Sequence, residues 1–232
     1  MTDPLTFGSL FAGIGGIDLG LERAGMRCAW QVEIDDYATR VLQKHWPDVP
    51  KFRDVRECGA HNLPAIDLIA GGFPCQDISE AGYGAGLDGE RSGLWFEFAR
   101  IIRELRPRYA LIENVPALLF RGIDRVLADL AGAGYDAEWG VLSACAFGAP
   151  HTRERVFILA YTASEWAMQR RRIEQPTNRE TQRYVDSWAN QSEPVRMADG
   201  VPDRMDRLRG LGNAVVPQVA EFIGRCIVEA QV

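Results

Sequence analysis

The stretch Leu5-Thr6-Phe7-Gly8-Ser9-Leu10-Phe11-Ala12-Gly13-Ile14-Gly15-Gly16-Ile17 decides the architecture. Leu5–Leu10 is short, apolar and followed by turn residues, which predicts a buried strand. The glycines at 13, 15 and 16 punctuate a turn, and Ile17–Ala24 carries helical spacing. Working outward, the same alternation continues. Cys28–Val32 reads as a strand, Tyr37–His45 as a helix and Ile66–Ala70 as a third strand. In Leu94–Arg106 the residues Leu94, Trp95, Phe98, Ile101, Ile102 and Leu105 share one helical face, and Pro107 ends it. Tyr109–Ile112, Trp139–Leu142 and Val156–Ala160 read as later strands, with a helix over Ile123–Ala131. This pattern predicts an α/β fold with a mostly parallel, doubly wound sheet.

From Tyr161 to Arg209 the pattern fails. Thr162-x-x-Glu165 has the form of a capping box for a short helix. The text beyond it is polar and broken by Pro176, Pro194 and Pro202, so it is expected to be irregular. Regularity returns at Pro217, where Val219, Phe222, Ile223, Cys226 and Ile227 mark a final helix.

Composition narrows the classes. The chain has 232 residues, 47% hydrophobic and 25% charged, which excludes disordered, collagen-like and disulfide-dense proteins. No apolar run is long enough to span a bilayer, and residues 1–10 have no signal-peptide pattern, so a cytoplasmic protein is expected. The five cysteines are odd in number and none forms a CxxC pair, so neither a disulfide framework nor a metal site is expected. Cys28, Cys58, Cys145 and Cys226 are expected to be small buried apolar residues. The net charge of −6 is unevenly spread: residues 1–150 carry −7 and residues 151–232 carry +1. Of the 26 basic residues 24 are Arg, the side chain suited to phosphate and guanine edges, although codon bias alone accounts for such a ratio.

In open α/β sheets ligands bind beyond the carboxyl ends of the strands. The predicted strands are followed by Phe11–Gly16, by Glu33, by Gly71-Gly72-Phe73-Pro74-Cys75-Gln76 and by Glu113-Asn114-Val115. Every unusual residue therefore falls on one rim. The glycine turn allows a cofactor close to backbone at a helix start, and Glu33 lies 20 residues after Gly13, the spacing at which an acid reaches ribose hydroxyls. The turn is neither GxGxxG nor a P-loop, which favours a nucleotide-like cofactor without a triphosphate. Cys75, in a Gly-Pro-rich turn, is a candidate nucleophile. Glu113 ends an apolar strand, where a raised pKa suits a proton donor. Arg153 and Arg155 alternate before a strand and are expected on one face. Ser79–Gly93 holds five glycines and is expected to be a closing loop. Taken singly, each has a plainer reading: a tight turn, a buried thiol, a strand-end acid, a solvated strand edge.

In order along the chain these segments resemble the cytosine-5 DNA methyltransferase family. Leu10–Gly16 resembles its cofactor loop, Glu33 and Asp54-Val55 its ribose and adenine contacts, and Gly72–Gln76 its nucleophile motif. Arg91–Leu94 resembles the end of its catalytic loop, Glu113–Val115 its ENV motif and Arg153–Arg155 its Arg-x-Arg motif. Gly212-Asn213-Ala214-Val215-Val216-Pro217 resembles its last motif, and the ending from Asp206 looks most like compact, phage-type members.

The resemblance implies a Rossmann-like S-adenosylmethionine-dependent methyltransferase fold. Its catalytic domain would cover 1–160, a reduced target-recognition region 161–207, and a returning segment 208–232. It implies methyl transfer to carbon 5 of a cytosine flipped from double-stranded DNA, with Cys75, Glu113, Arg153 and Arg155 catalytic. Implied cofactor contacts are Phe11, Gly13, Ile14, Gly15, Gly16, Glu33, Ile34, Asp54, Val55, Pro74, Leu94, Asn213 and Val215, with S-adenosylhomocysteine as product. Implied DNA contacts are Gln76, Ser79, Arg91, Arg170, Arg171 and Arg172, joined by Arg179, Arg183, Trp166, Tyr184 and Trp188. A monomer in a bacterial or phage-infected cytoplasm is expected, and a cognate restriction endonuclease is a candidate partner. The family usually has Gln where His151 stands, and larger members have a separate domain where this chain has 161–207. Two alternatives remain at this level: the same chemistry on tRNA, and a silent binding protein.

Overall fold

The computed structural model describes residues 3–74, 93–166, 176–189 and 204–231. Its strands are β1 (Thr6–Leu10), β2 (Arg27–Val32), β3 (Lys51–Phe52), β4 (Leu68–Gly72), β5 (Tyr109–Asn114), β6 (Tyr135–Ser143) and β7 (Glu154–Thr162). They form one seven-stranded sheet in the order β3-β2-β1-β4-β5-β7-β6. The pairs from β3 to β5 are parallel, and β7 runs antiparallel to both neighbours. The expected mostly parallel sheet is therefore present.

The helices are α1 (Gly16–Arg23), α2 (Asp36–His45), α3 (Leu94–Leu105), α4 (Leu118–Arg121), α5 (Ile123–Gly132), α6 (Ala163–Trp166), α7 (Asn178–Ala189), α8 (Arg204–Asn213) and α9 (Pro217–Glu229). Strand alternation feeds two cores. Ala110 and Ile112 of β5, with Val156, Ile158 and Ala160 of β7, face Trp95, Phe98 and Ile102 of α3. Tyr109 and Leu111, with Phe157 and Leu159, face Leu21 of α1 and Phe222 and Ile223 of α9. The sheet is covered on both sides, as doubly wound sheets must be.

Glycine and alanine set the α1–α9 crossing. A Cβ on Gly20 would lie 2.4 Å from the Pro217 carbonyl, and one on Gly224 2.7 Å from Ala24 Cβ. Only small residues let these helices approach so closely.

Four expectations need correction. Strand β4 begins at Leu68 rather than Ile66, because the Asp67 carboxylate turns aside to accept the Thr6 N–H and hydroxyl at 2.8 and 2.9 Å. Residues 178–189 and 204–213 are helical, not irregular. Helix α7 starts from its own capping box: the Glu180 carboxylate accepts the Thr177 N–H at 2.8 Å. Tyr184 is 3% exposed and edge-packed on Phe147, which in turn meets Phe222, so it does not stack on bases. Cys145 is exposed beside Ser143, whereas Cys28, Cys58 and Cys226 are buried as expected.

One acid lies wholly inside. Asp18, at the first turn of α1, is 0% exposed and accepts from Ser9 Oγ at 3.1 Å and Gln31 Nε2 at 2.7 Å. Burial lifts its pKa to about 6, against the partial relief of the Gln31 and Ser9 hydrogen bonds. The folded state then holds a proton that the unfolded chain releases near pH 4, so stability falls as pH rises from about 4 to about 6 and stays lowered above that. Asp18→Asn keeps the shape without the charge. Its unfolding midpoint should gain on wild type between pH 4.5 and pH 7.5, by roughly 1–3 kcal/mol in free energy. Parallel pH curves from chemical denaturation would remove the assignment.

Candidate active site at the carboxyl rim of the sheet

The glycine turn leaves β1 through a coil of left-handed residues. Phe11, Gly13 and Gly15 have φ of 53°, 56° and 85°. Gly15 lies under the Trp46 ring, where a Cβ would be 2.5 Å away, and Gly16 lies under the Val215 carbonyl, where a Cβ would be 2.3 Å away. The last sequence motif is thus folded back onto the first. Glu33, just past β2, accepts the Gly13 N–H at 2.7 Å and the Asp35 N–H at 2.8 Å. Burial raises its pKa, while those two N–H donors and Arg53 pull it down.

Beside it, Ile34 is 60% exposed, a large apolar side chain offered to solvent next to a carboxylate. Asp54 caps a 3-10 turn over Val55–Glu57 and pairs with Arg56 at 2.6 Å, which lowers its pKa. Val55 is buried in the core, and Phe11 stacks on Phe98 of α3, the helix that Leu94 begins.

The second group centres on Glu113, next to last in β5. It is 8% exposed, and burial pushes its pKa up to about 7 against the pull of Arg155 and Arg153. Arg155 Nε stands 3.0 Å from its carboxylate. Gly72 leaves room for that carboxylate: a Cβ there would lie 2.3 Å from Glu113 Oε2. Asn114 Nδ2 donates to the Phe73 carbonyl at 3.1 Å, holding the chain two residues before Cys75. The ENV pair therefore has two jobs, an acid at the rim and an anchor for the neighbouring turn.

Arg153 donates to the Gly212 carbonyl at 2.9 Å, tying the Arg-x-Arg segment to the end of α8. Strand alternation is not what places it. The strand starts at Glu154, and Arg153 sits before it at φ 32°. Its Nε is buried with no hydrogen-bond partner among the described residues. Both arginines nonetheless line one cavity of about 800 Å³, together with His151, Ile14, Gly16 and Val215. Glu33, Asp54 and Leu94 line no part of it. Asn213 is exposed at the end of α8, and Pro74 is half-buried after β4. Cys75, Gln76, Ser79, Arg91, Arg170, Arg171 and Arg172 lie outside the described residues. Sequence reading missed the parts played by Gly72, Asn114 and Arg53. Of these Gly72 and Asn114 stood inside motifs quoted at strand ends, and Arg53 left no signal.

Comparison with known proteins gives this rim its class. Residues 5–200 match the family model for C-5 cytosine-specific DNA methylase, and the chain belongs to that family. The type II methyltransferase M2.BsuMI of Bacillus subtilis strain 168 is 41% identical over 160 residues, covering 66% of this chain and 41% of that protein. M.DsaV of Dactylococcopsis salina is 36% identical over 163 residues, covering 68% of this chain and 46% of that one. The chain thus spans less than half the length of these two curated relatives. Among solved structures, a protein encoded within an E. coli prophage and described as a DNA modification methyltransferase is 32% identical at a TM-score of 0.59, covering 69% of this chain and 47% of that chain. An Entamoeba histolytica methyltransferase aligns over 98% of this chain and 99% of its own at a TM-score of 0.71; at 13% identity the likeness is one of fold.

Gly72→Ala should displace the Glu113 carboxylate and break its Arg155 pair. Any catalytic activity should fall roughly a hundredfold, the lower end for a misplaced acid–base group, with the thermal midpoint lowered by only a few degrees. Unchanged turnover would show that Glu113 does not need this position.

Proposed function

We propose that this chain carries the catalytic core of a DNA methyltransferase. It would move a methyl group from S-adenosylmethionine to carbon 5 of a cytosine flipped out of double-stranded DNA. The observation that carries the reading is the buried Glu113–Arg155 pair, at 3.0 Å, on the same rim as the turn that leads through Phe73 and Pro74 to Cys75. A carboxyl with a pKa near 7 can hold a proton at neutral pH and share it with a ring nitrogen.

The residues around the glycine turn fit the cofactor. Glu33 offers a carboxylate to a diol, Asp54 an acceptor to an amine, and Phe11, Ile34 and Leu94 apolar surface to a purine, while Val55, with its side chain in the core, would contribute its main chain. The backbone of Gly13, Ile14, Gly15 and Gly16 at the start of α1 suits a carboxylate. Asn213 and Val215, folded back over Gly16, would close the pocket, and Pro74 would border its reacting end. When bound, S-adenosylmethionine supplies the sulfonium methyl and leaves as S-adenosylhomocysteine.

In this reading the Cys75 thiolate adds to carbon 6 of the flipped ring. Glu113 donates its proton towards N3, so the electron pair displaced by addition settles as an enamine with its nucleophilic end at carbon 5. Arg155 holds Glu113 in place and faces the base, while Arg153 fixes the Gly212 end of α8. After methylation a base takes the carbon-5 proton, the double bond re-forms, and the bond to Cys75 breaks. Gln76, Ser79, Arg91, Arg170, Arg171 and Arg172 would contact the DNA.

The reading also assigns the chain to a bacterial or phage-infected cytoplasm, as a monomer, with a restriction endonuclease as candidate partner. Among the described residues no helix is long and apolar enough to cross a membrane, and no group of side chains suits a metal ion.

The test is expression of wild type and Cys75→Ser in a host without its own cytosine methylation, followed by conversion sequencing. Methylcytosine at one short motif, present only with wild type, is the expected result. Glu33→Ala should weaken S-adenosylhomocysteine binding at least tenfold by calorimetry (about 1.4 kcal/mol) while DNA binding holds. Unmethylated DNA from both strains, with no adduct on 5-fluorocytosine DNA, would overturn the DNA reading and turn the assay to tRNA.

A further inference from the structure

Arg53 lies between the two walls assigned to the nucleoside. It follows β3 and directly precedes Asp54, so its main chain enters the Asp54–Val55 wall. Its side chain crosses to the other wall. Nη2 donates to the Ile34 carbonyl and pairs with Asp36, and Nη1 donates to Thr39 Oγ1. Thr39 in turn donates to the Asp35 carbonyl at 2.8 Å. All three acceptors belong to the loop and first turn that follow Glu33. Asp35 is also the residue whose N–H holds the Glu33 carboxylate, and its own carboxylate caps α2 through the Ala38 N–H at 2.9 Å.

The loop needs such a hold. Ile34 is 60% exposed, so burial does little to fix its side chain. The β2–β3 contact is short, joining Gln31 to Lys51 and Val32 to Phe52. Two further backbone bonds extend it, Gln31 N–H to the Pro50 carbonyl and Glu33 N–H to the Phe52 carbonyl, both at 3.0 Å, and Ile34 lies beyond the second. A planar guanidinium with several fixed donors can span this gap, whereas an ammonium engages as a single point charge.

We infer that Arg53 is a positioning residue which sets the separation of the Ile34 and Asp54 walls and so prearranges the nucleoside end of the cofactor pocket. The inference rests on the cofactor reading above. Arg53 acts through Ile34, Asp36 and Thr39 and takes no part in the chemistry at Glu113.

The test uses the full chain and S-adenosylhomocysteine as probe, in calorimetry with wild type, Arg53→Ala, Arg53→Lys and Glu33→Ala. Arg53→Ala should weaken binding roughly tenfold, the scale of a lost charge-assisted contact. Arg53→Lys should recover part of it. In methylation assays the KM for S-adenosylmethionine should rise in step, while kcat at saturating cofactor stays within about twofold of wild type, because ordering of the empty pocket is what is lost. If Arg53→Ala binds as wild type while Glu33→Ala is weakened, the inference is overturned and the pocket assignment stands. If neither variant is weakened, the pocket assignment itself fails. Should Arg53→Ala not fold, the exposed Asp36→Ala removes one arm of the same grip. A smaller loss of affinity there supports the inference, and none overturns it.

Discussion

A carboxylate taken out of water must be compensated, and the rim of this sheet is arranged around one that is. Glu113 is buried at the end of β5, and the compensating guanidinium comes from β7. That is possible because, among the described strands, β7 alone runs against the others. In a parallel strand the rim would receive residues leaving the sheet. Reversal brings residues entering it, so Arg153 and Arg155 arrive beside Glu113 without a long loop. The pair opposite Glu113 in register is Phe157, which keeps the charges at the mouth and the rings behind them. Gly72 completes the arrangement from the other side by having no side chain at all.

The glycine turn is held differently, by backbone and close packing. Glu33 reaches back to Gly13, Trp46 lies on Gly15, and the Val215 carbonyl lies on Gly16. Arg153 adds a tie from the neighbourhood of the Glu113–Arg155 pair to Gly212, three residues before Val215. The two halves of the rim are thus joined through the segment between α8 and α9 as well as through β4 of the sheet.

Much of this was legible in the chain itself. Strands β1, β2, β5 and β7 and helix α3 are written in apolar runs or stripes, and the rim follows from where those strands end. Helix α7 was not legible by periodicity, because its polar text offers few apolar positions; Thr177-x-x-Glu180 was the signal that marked its start. Among the described side chains of α8 none is buried, and Met205 and Leu211 are exposed. Tyr184 was misread because an aromatic among arginines looks like a base-stacking residue, when its partner Phe147 is distant in sequence. Arg53 was invisible for a similar reason: its acceptors are a carbonyl, a hydroxyl and an acid between 14 and 19 residues away. Asp18 shares a core with Ser9 and Gln31 from two separate strands, which no local pattern announces.

The packing of α1 on α9 also bears on how the molecule is made. Helix α1 is made well before its partner, because its glycine face packs on a helix about two hundred residues later. Contacts of such sequence separation are slow to form, since a long loop must close before they return any energy. Until then the Leu21 side of α1 and the sheet face beneath it have no cover, and unpaired apolar surface of that kind invites association between nascent chains. The turn at Gly13–Gly16 therefore reaches its final shape only after α9 has docked, so this site matures only once a segment about two hundred residues downstream of it has been made.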